Sequence, residues 1–264
     1  LFNGSGAAIH EAGAMLRRLD PPFVATLARG SSDHAAGCFK TACELRAGVP
    51  VASIGPSVAS VYGVMLKLRG AAALALSQSG RSPDLVAALA AARQGGAATI
   101  AIINAPGSPL AAAADICIPV RAGVERSVAA TKSFVGSAVA ALALLAAWQD
   151  DASLWDALRT LPPLLHEATR TDWSPALHPL VAAQSLFLLG RGPGFSMALE
   201  GALKFKETCG LHAEAFSSAE VQHGPMALVR DGFPVLAFLQ DDAALPGLRA
   251  TIARLAAQGG TIFA

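Results

Sequence analysis

The sequence is short of charge, of cysteine and of long apolar runs, and each shortage removes a class of function. Charged residues fill 15% of its 264 positions, twenty basic against nineteen acidic. No local cluster of lysine and arginine breaks that balance. The electrostatic footprint of a nucleic-acid or anionic-membrane binder is therefore missing, and neither partner is expected. Four cysteines give neither a disulfide framework nor metal-ligand spacing: Cys38 and Cys43 are five apart on one predicted helix, and Cys117 and Cys209 stand alone. They are expected to be buried thiols of a cytoplasmic protein, and no metal or other cofactor is expected. The chain opens without a charged leader, short apolar segment and cleavage site, so no secretory signal is expected. The longest apolar run, residues 133–148, is too short and too alanine-rich to span a bilayer and fits a helix buried on most sides.

What the chain has is core. At 53% hydrophobic it carries ample material for one or two globular domains. Apolar strands (23–28, 50–54, 71–76, 98–103, 116–120) alternate with helical patterns (34–45, 83–94, 133–148), which is α/β order with a mainly parallel sheet. Residues 151–180 are richer in proline, tryptophan, histidine and charge and read as a helical connector. A second α/β run starts with the strand 185–190.

An internal repeat explains the layout. Laying Ala28-Arg29-Gly30 on Gly190-Arg191-Gly192 sets an offset of 162, and the same offset places Gly48 on Gly210, Gly70 on Gly232, Gln78 on Gln240 and Thr99-Ile100 on Thr261-Ile262. The chain thus reads as a first domain over 1–150 with an N-terminal helix, the connector, and a second domain over 181–264. The second copy stops before the counterpart of residues 103–149. An α/β layer cut there would expose apolar surface, so a further strand, helix and tail are expected beyond Ala264.

The two copies are armed differently. On the helix predicted from Phe195 to Cys209, Glu200, Lys204 and Glu207 are spaced i, i+4 and i+7 and share one face. The first copy has Cys38, Ala42 and Leu45 at the equivalent positions, and Val61 opposite His223. A merely solvated face would scatter its charges over both copies. Concentrating four ionisable groups in one points to proton chemistry. The first copy instead has Gly/Ser loops where strands end: Gly30-Ser31-Ser32, and Ser77-Gln78-Ser79-Gly80-Arg81-Ser82 ahead of Pro83. Serine hydroxyls beside helix N-termini, outside the carboxyl ends of strands, suit a phosphate. No Walker loop with its lysine is present, and Gly190-Arg191-Gly192-Pro193-Gly194 lacks dinucleotide spacing. His212-Ala213-Glu214 is not followed by the cysteines of a zinc deaminase, and there is no Gly-x-Ser-x-Gly elbow.

Taken together, ARGSSDHAA, ALSQSGRSPDL, GVERSVAATKSF, ALEGALKFKET, LHAEAF and VQHGPMAL resemble the double sugar-isomerase (SIS) domain family, collinearly from about Val24 to Ala264. The resemblance is to the isomerase half of the glucosamine-6-phosphate synthases and to the SIS-type glucosamine-6-phosphate deaminases. It implies two tandem three-layer α/β/α sandwiches, flavodoxin-like, in a homodimer with a shared active site. It implies that Ser31, Ser32, Ser77, Gln78, Ser79 and Ser82 hold a sugar phosphate, with the backbone near Val128 closing the site. Glu207 would move a proton between C1 and C2, with Lys204 and Glu200 beside it and His223 assisting ring opening from the partner subunit. Two positions depart from the synthases: Ala130 replaces a serine, and Arg81 an acidic residue. The family's C-terminal tail, with its lysine, would lie beyond Ala264. His34, Arg126 and Lys132 are given no role. Lacking a glutaminase domain, the chain is expected to run the deaminating direction, from glucosamine 6-phosphate to fructose 6-phosphate and ammonia. The aminating enzyme is the nearest alternative, and a non-catalytic sugar-phosphate sensor the alternative from another class, although no helix-turn-helix segment is found.

Overall fold

The structure, a computed structural model, describes residues 2–264. It divides into two compact units, the first ending at Leu164 and the second spanning Leu165–Ala264.

The first unit runs α1 (Phe2–Leu19), β1 (Val24–Leu27), α2 (Ser31–Arg46), β2 (Val51–Ser53), α3 (Ser57–Ser60), β3 (Ala72–Ser77), α4 (Pro83–Gln94), β4 (Ala98–Ile103), α5 (Pro109–Ala113), β5 (Ile116–Pro119) and α6 (Lys132–Gln149). Its five strands are all parallel, in the order β2-β1-β3-β4-β5. Both faces of such a sheet are covered, so the strands are apolar almost throughout, and alternation sorts their side chains between two cores. Leu74, Leu76, Ile100, Ile102 and Ile118 pack with Ile9 and Leu16 of α1, Phe39 of α2 and Leu144 of α6. Ala73, Ala75, Ala101 and Ile103 turn the other way, onto Leu85 and Leu89 of α4 and Leu110 of α5. The result is the three-layer α/β/α arrangement expected. Helix α6 is long and apolar enough to cross a membrane by length and composition. Here it packs against α1 and α2 over the sheet, with Leu144, Leu145 and Trp148 buried.

Helix α7 (Ala152–Ala168) follows, and buries Leu154 and Leu158 in the first unit's core. The second unit contains α8 (Ser174–Ala182), β6 (Ser185–Gly190), α9 (Pro193–Cys209), β7 (His212–Ser217), two 3₁₀ turns (Glu220–Gln222 and Pro225–Leu228), β8 (Pro234–Ala237), α10 (Leu245–Ala257) and β9 (Thr261–Phe263). Its strands are again parallel, in the order β7-β6-β8-β9. Leu186 and Leu188 face Ala198 and Ala202 of α9. Phe187, Leu189 and Val235 face Leu248 and Leu255 of α10. Shifting the starts of β1, α2, β2, β3, α4 and β4 by 162 residues meets the starts of β6, α9, β7, β8, α10 and β9 to within one residue.

Three expectations need correction. Helix α2 starts at Ser31 rather than His34, because Gly30, at φ 55° and ψ −134°, turns the chain at once from strand to helix. A left-handed φ of that kind is open to glycine at little cost and to other residues only with strain. Ser31 and Ser32 therefore belong to a helical first turn, not to a loop. Helix α9 likewise starts at Pro193, two residues before the predicted Phe195, after Gly192 at φ 53°. Finally, the cysteines are not uniformly buried. Cys43 is, Cys38 and Cys117 are half-buried, and Cys209 is exposed at the end of α9, and none of the four forms a disulfide.

Candidate active site

The first unit's strand order reverses at β1 and β3: from β1 the chain goes outward to β2 on one side and to β3 on the other. In an open parallel sheet this switch point leaves a crevice at the carboxyl ends of the two strands, which is where ligands bind. Both serine clusters are there. Ser31 and Ser32 form the first turn of α2, directly after β1. Ser77 ends β3, and Ser82 is the N-cap of α4 with Pro83 in its first turn. Two helix N-termini thus point at one crevice, each offering backbone N–H groups and a positive dipole end.

The second cluster is held rigidly. The buried Ser77 Oγ accepts the Gly80 N–H at 3.0 Å, and Ser79 Oγ accepts the Arg81 N–H at 3.3 Å. A hydroxyl occupied as acceptor still has its own proton to give, so both serines remain donors toward an anion. Gly80 is left-handed, at φ 62°, and its Cα is pressed against Ser108, whose Oγ lies 2.0 Å from where a Cβ would be. The Leu110 N–H donates to Gly80 O at 3.1 Å from the same segment. Gln78 and Ser79 are half-exposed above this floor. Arg29, after β1, reaches Asp84 in the first turn of α4 at 2.9 Å and so ties the two clusters together.

Val128 sits in the irregular segment between β5 and α6 and is 93% exposed. That segment is anchored at the same edge of the sheet: Asn104, just past β4, donates to Gly123 O and accepts the Ala122 N–H, both at 2.7 Å. Glu125 accepts the Ser133 N–H at 2.7 Å, and Lys132 donates to Val124 O at 2.9 Å. The Ser133 N–H holds the Glu125 carboxyl below the ordinary carboxylate range; partial burial opposes this, and the Ser133 hydroxyl and Lys132 add to it. Asn104, Ser108, Arg29 and Asp84 were not singled out from sequence. The Asn-Ala-Pro-Gly turn signal at 104–107 was the available hint for the first two. A contact such as Arg29–Asp84, between residues 55 apart in the chain, leaves no local pattern.

In the second unit, the face of α9 assembles as its spacing predicts. The Lys204 ammonium lies 3.4 Å from Glu200 Oε1 and also pairs with Glu207. The side chains differ in access: Glu200 is 9% exposed, Lys204 24% and Glu207 27%. Glu200 is the buried anchor, and Glu207 is the carboxylate a solute can reach. His223 is exposed and ends the 3₁₀ turn Glu220–Gln222, its N–H donating to Glu220 O at 2.9 Å. The second unit's own switch point, between β6 and β8, has no serine cluster. Gly192-Pro193-Gly194 replaces the first, and Gln240 donates across the gap to Arg191 O at 2.6 Å. Among the described residues, no group of three or more histidine, cysteine, aspartate or glutamate side chains could hold a metal ion.

Comparison with known proteins gives concordant relatives. The SIS domain profile matches residues 23–147 and 180–264. A glutamine–fructose-6-phosphate aminotransferase (isomerizing) of Halobacterium salinarum is 40% identical over 238 residues, which is 83% of this chain and 38% of that protein. The chain therefore spans well under half the length of this relative. The crystal structure of a candidate phosphosugar isomerase from Silicibacter pomeroyi DSS-3 superposes with a TM-score of 0.96 at 50% identity, over 100% of this chain and 80% of that one. The C-terminal domain of the glucosamine-fructose-6-phosphate aminotransferase of Francisella tularensis gives 0.86 at 26% identity, over 99% and 80%.

Proposed function

The chain belongs to the SIS domain family, and on that premise we propose that it is an isomerase-type enzyme acting on an amino sugar phosphate, converting glucosamine 6-phosphate to fructose 6-phosphate and ammonia. The observation that carries this reading is the ion-paired triplet on α9, in which the exposed Glu207 is held by Lys204 and Lys204 by the buried Glu200.

The phosphate is gripped by the hydroxyls of Ser31, Ser32, Ser77, Ser79 and Ser82, by the Gln78 amide and by the N-termini of α2 and α4, with the segment around Val128 closing over the sugar. His223 relays the ring hydroxyl proton, which opens the sugar to its aldehyde. The Glu207 carboxylate takes the C2 proton, which is acidic because it lies α to the carbonyl, and returns it to C1. Lys204 lends positive charge as the enolamine oxygen becomes electron-rich, and that oxygen takes up a proton while the 2-amino group gives one up. The resulting 2-ketimine takes up one water and releases ammonia, leaving fructose 6-phosphate. Glu200 touches none of the reacting atoms and keeps Lys204 in place. The family resemblance adds a cytoplasmic homodimer with a shared site, and the exposure of His223 suits a group offered to a partner subunit; sedimentation of the protein as a monomer would remove that element.

The opposite direction, amination of fructose 6-phosphate, is the second reading. It is favoured by the 40% identity to an isomerizing aminotransferase. Both use the same proton transfer and differ in the source of the nitrogen. The experiment is incubation with glucosamine 6-phosphate, without glutamine, while ammonia and fructose 6-phosphate are followed together. Equal release of both, lost in Glu207→Gln with a fall in kcat of about 10²–10⁴-fold, supports the deaminase. Formation of glucosamine 6-phosphate from fructose 6-phosphate only when glutamine and a glutaminase domain are supplied, with free ammonia neither used nor released, favours the aminating enzyme. Binding without turnover in either direction refutes both and leaves a sensor.

A further inference from the structure

One polar network remains outside the chemistry above, and it is built on the residue next to His223 in the chain. Gln222, the residue before it, is hydrogen-bonded at both atoms of its amide. Its Nε2 donates to Ser218 O and to Thr251 Oγ1, both at 2.9 Å, and its Oε1 accepts from Arg254 Nη1 at 2.7 Å. Thr251, 1% exposed, also lies within hydrogen-bonding distance of Ser218 O, at 3.1 Å. Thr251 and Arg254 are both on α10. The start of the same segment is held from the other side. The Ser218 N–H donates to Gly190 O at 3.0 Å at the end of β6, and Arg191 donates to Ser217 Oγ at 2.8 Å. The turn that presents His223 is thus mounted between the strand leading into α9 and the helix α10.

Two physical points make this more than general packing. A 3₁₀ turn of three residues has little stability of its own, so its geometry is set by what grips it. Polar groups drawn partly out of water are also costly unless satisfied, and here the half-buried Gln222 has a partner at each amide atom and the buried Thr251 hydroxyl is bonded too. The comparison with the first unit is direct. At the positions 162 earlier stand Ser60, Leu89 and Ala92; Leu89 and Ala92 are plain core residues, at 0% and 4% exposure. The network is found in the unit that carries Glu200, Lys204, Glu207 and His223, where a turn must be aimed, and apolar packing replaces it where Val61 stands in place of His223.

We propose that Gln222, clamped by Thr251 and Arg254, is the positioning residue that sets His223 for proton relay to the sugar ring. The proposal rests on the ring-opening role given to His223 above. It makes Gln222 act through its neighbour, not on the substrate.

Ring opening can be read separately from proton transfer at carbon. In a Glu207→Gln background the C2 proton cannot leave, but the full-length protein should still accelerate exchange between the α and β anomers of glucosamine 6-phosphate, which magnetisation-transfer NMR measures. Adding His223→Ala should abolish the acceleration. Adding Gln222→Met, which keeps length and removes all three hydrogen bonds, should reduce it about tenfold, while affinity for glucosamine 6-phosphate stays within twofold. Gln222→Glu, which can still pair with Arg254 but cannot donate to Ser218 O, should fall between. Arg254→Ala, at an exposed position where folding is not at risk, should reduce exchange two- to threefold. If His223→Ala abolishes exchange while Gln222→Met and Arg254→Ala both match the parent, the positioning role is overturned and the functional reading stands. If His223→Ala has no effect, the functional role of His223 fails and the proposal falls with it. Loss of affinity in step with loss of exchange would mark Gln222 as merely structural and also overturn it.

Discussion

Replacing Gly80 by alanine tests whether the floor of the crevice proposed to hold the phosphate is as tightly built as the distances say. Two costs add. Gly80 is at φ 62°, where an L-residue with a Cβ loses roughly 1–2 kcal/mol. The new methyl would also meet Ser108 Oγ at 2.0 Å, Ser108 Cβ at 2.7 Å and Ile103 Cγ2 at 3.1 Å. Ser108 is 3% exposed and Ile103 fully buried, so neither can swing into solvent, and overpacking of this kind costs about 1–3 kcal/mol. The sum is about 2–5 kcal/mol, large against a typical stability of about 5–15 kcal/mol. Urea unfolding of the full chain followed by circular dichroism should show it. The Ser77–Gly80 hydrogen bond should break as the loop yields, so affinity for glucosamine 6-phosphate should fall as well. Ser108→Gly removes both nearest atoms. The double variant should therefore recover the steric part, giving a coupling of about 1–3 kcal/mol in a double-mutant cycle, and leave the backbone strain. A Gly80→Ala protein within about 0.5 kcal/mol of the parent, or a cycle with no coupling, would refute the reasoning.

Acid should weaken the first unit through named carboxylates. Glu125 is lowered by the Ser133 N–H, and Asp151 by the Ser153 hydroxyl, then by the Leu154 N–H and Arg46. A carboxyl lowered on folding contributes stability that is complete above its unfolded value and is lost as pH falls through the folded value. Melting temperature should thus hold near neutrality and drop below the ordinary carboxylate range, less steeply in Glu125→Gln; parallel curves for the two proteins would contradict this. The thiols should separate in reactivity. Cys43 is pushed up to about 12, chiefly by burial, with the Glu44 charge adding, whereas Cys209 is exposed. An aromatic disulfide reagent at mild alkaline pH should modify Cys209 first and Cys43 only on unfolding, an order that peptide mapping reads and that early Cys43 labelling would refute. Breaking the surface pair with Arg29→Ala should cost at most about 1 kcal/mol of stability, yet raise KM for the phosphosugar more than it changes kcat, since it loosens one serine cluster against the other. A change confined to kcat would count against that.

How much of this was written in the sequence depends on where each feature's cause lies. Helix α4 and strands β4 and β6 match their predicted bounds of 83–94, 98–103 and 185–190, because a proline in the first turn or an uninterrupted apolar run is a local signal. The starts of α2 and α9 were missed because a left-handed glycine looks, in sequence, like the opening of a loop. Strands β7, β8 and β9 drew no separate prediction: β7 has His212 and Glu214 exposed, which breaks its apolar run, and β8 and β9 are only four and three residues long. Spacing placed Glu200, Lys204 and Glu207 on one face of α9, and spacing alone could not tell the buried Glu200 from the open Glu207. That difference comes from how α9 lies on β6 and β7.

The contrast between the two halves follows from the same physics applied twice. One scaffold, shifted by 162 residues, brings two helix N-termini to a switch point in each unit. In the first, serines occupy those termini, and the position matching His223 is an exposed valine. In the second, Gln240 crosses the switch point to Arg191 O, and Asp241 and Asp242 stand where the first unit has Ser79 and Gly80. The ionisable groups stand instead on α9 and at the turn after β7, and on α10 the buried Thr251 and the exposed Arg254 bond the Gln222 of that turn where the first unit has Leu89 and Ala92. Fold alone would not have separated these roles. Phosphate grip and proton transfer should therefore fail independently: serine variants of the first unit should raise KM with kcat retained, and α9 variants of the second should lower kcat with affinity retained. Steady-state kinetics on Ser79→Ala and Lys204→Met would decide it, and parallel losses in both constants for both variants would defeat the assignment.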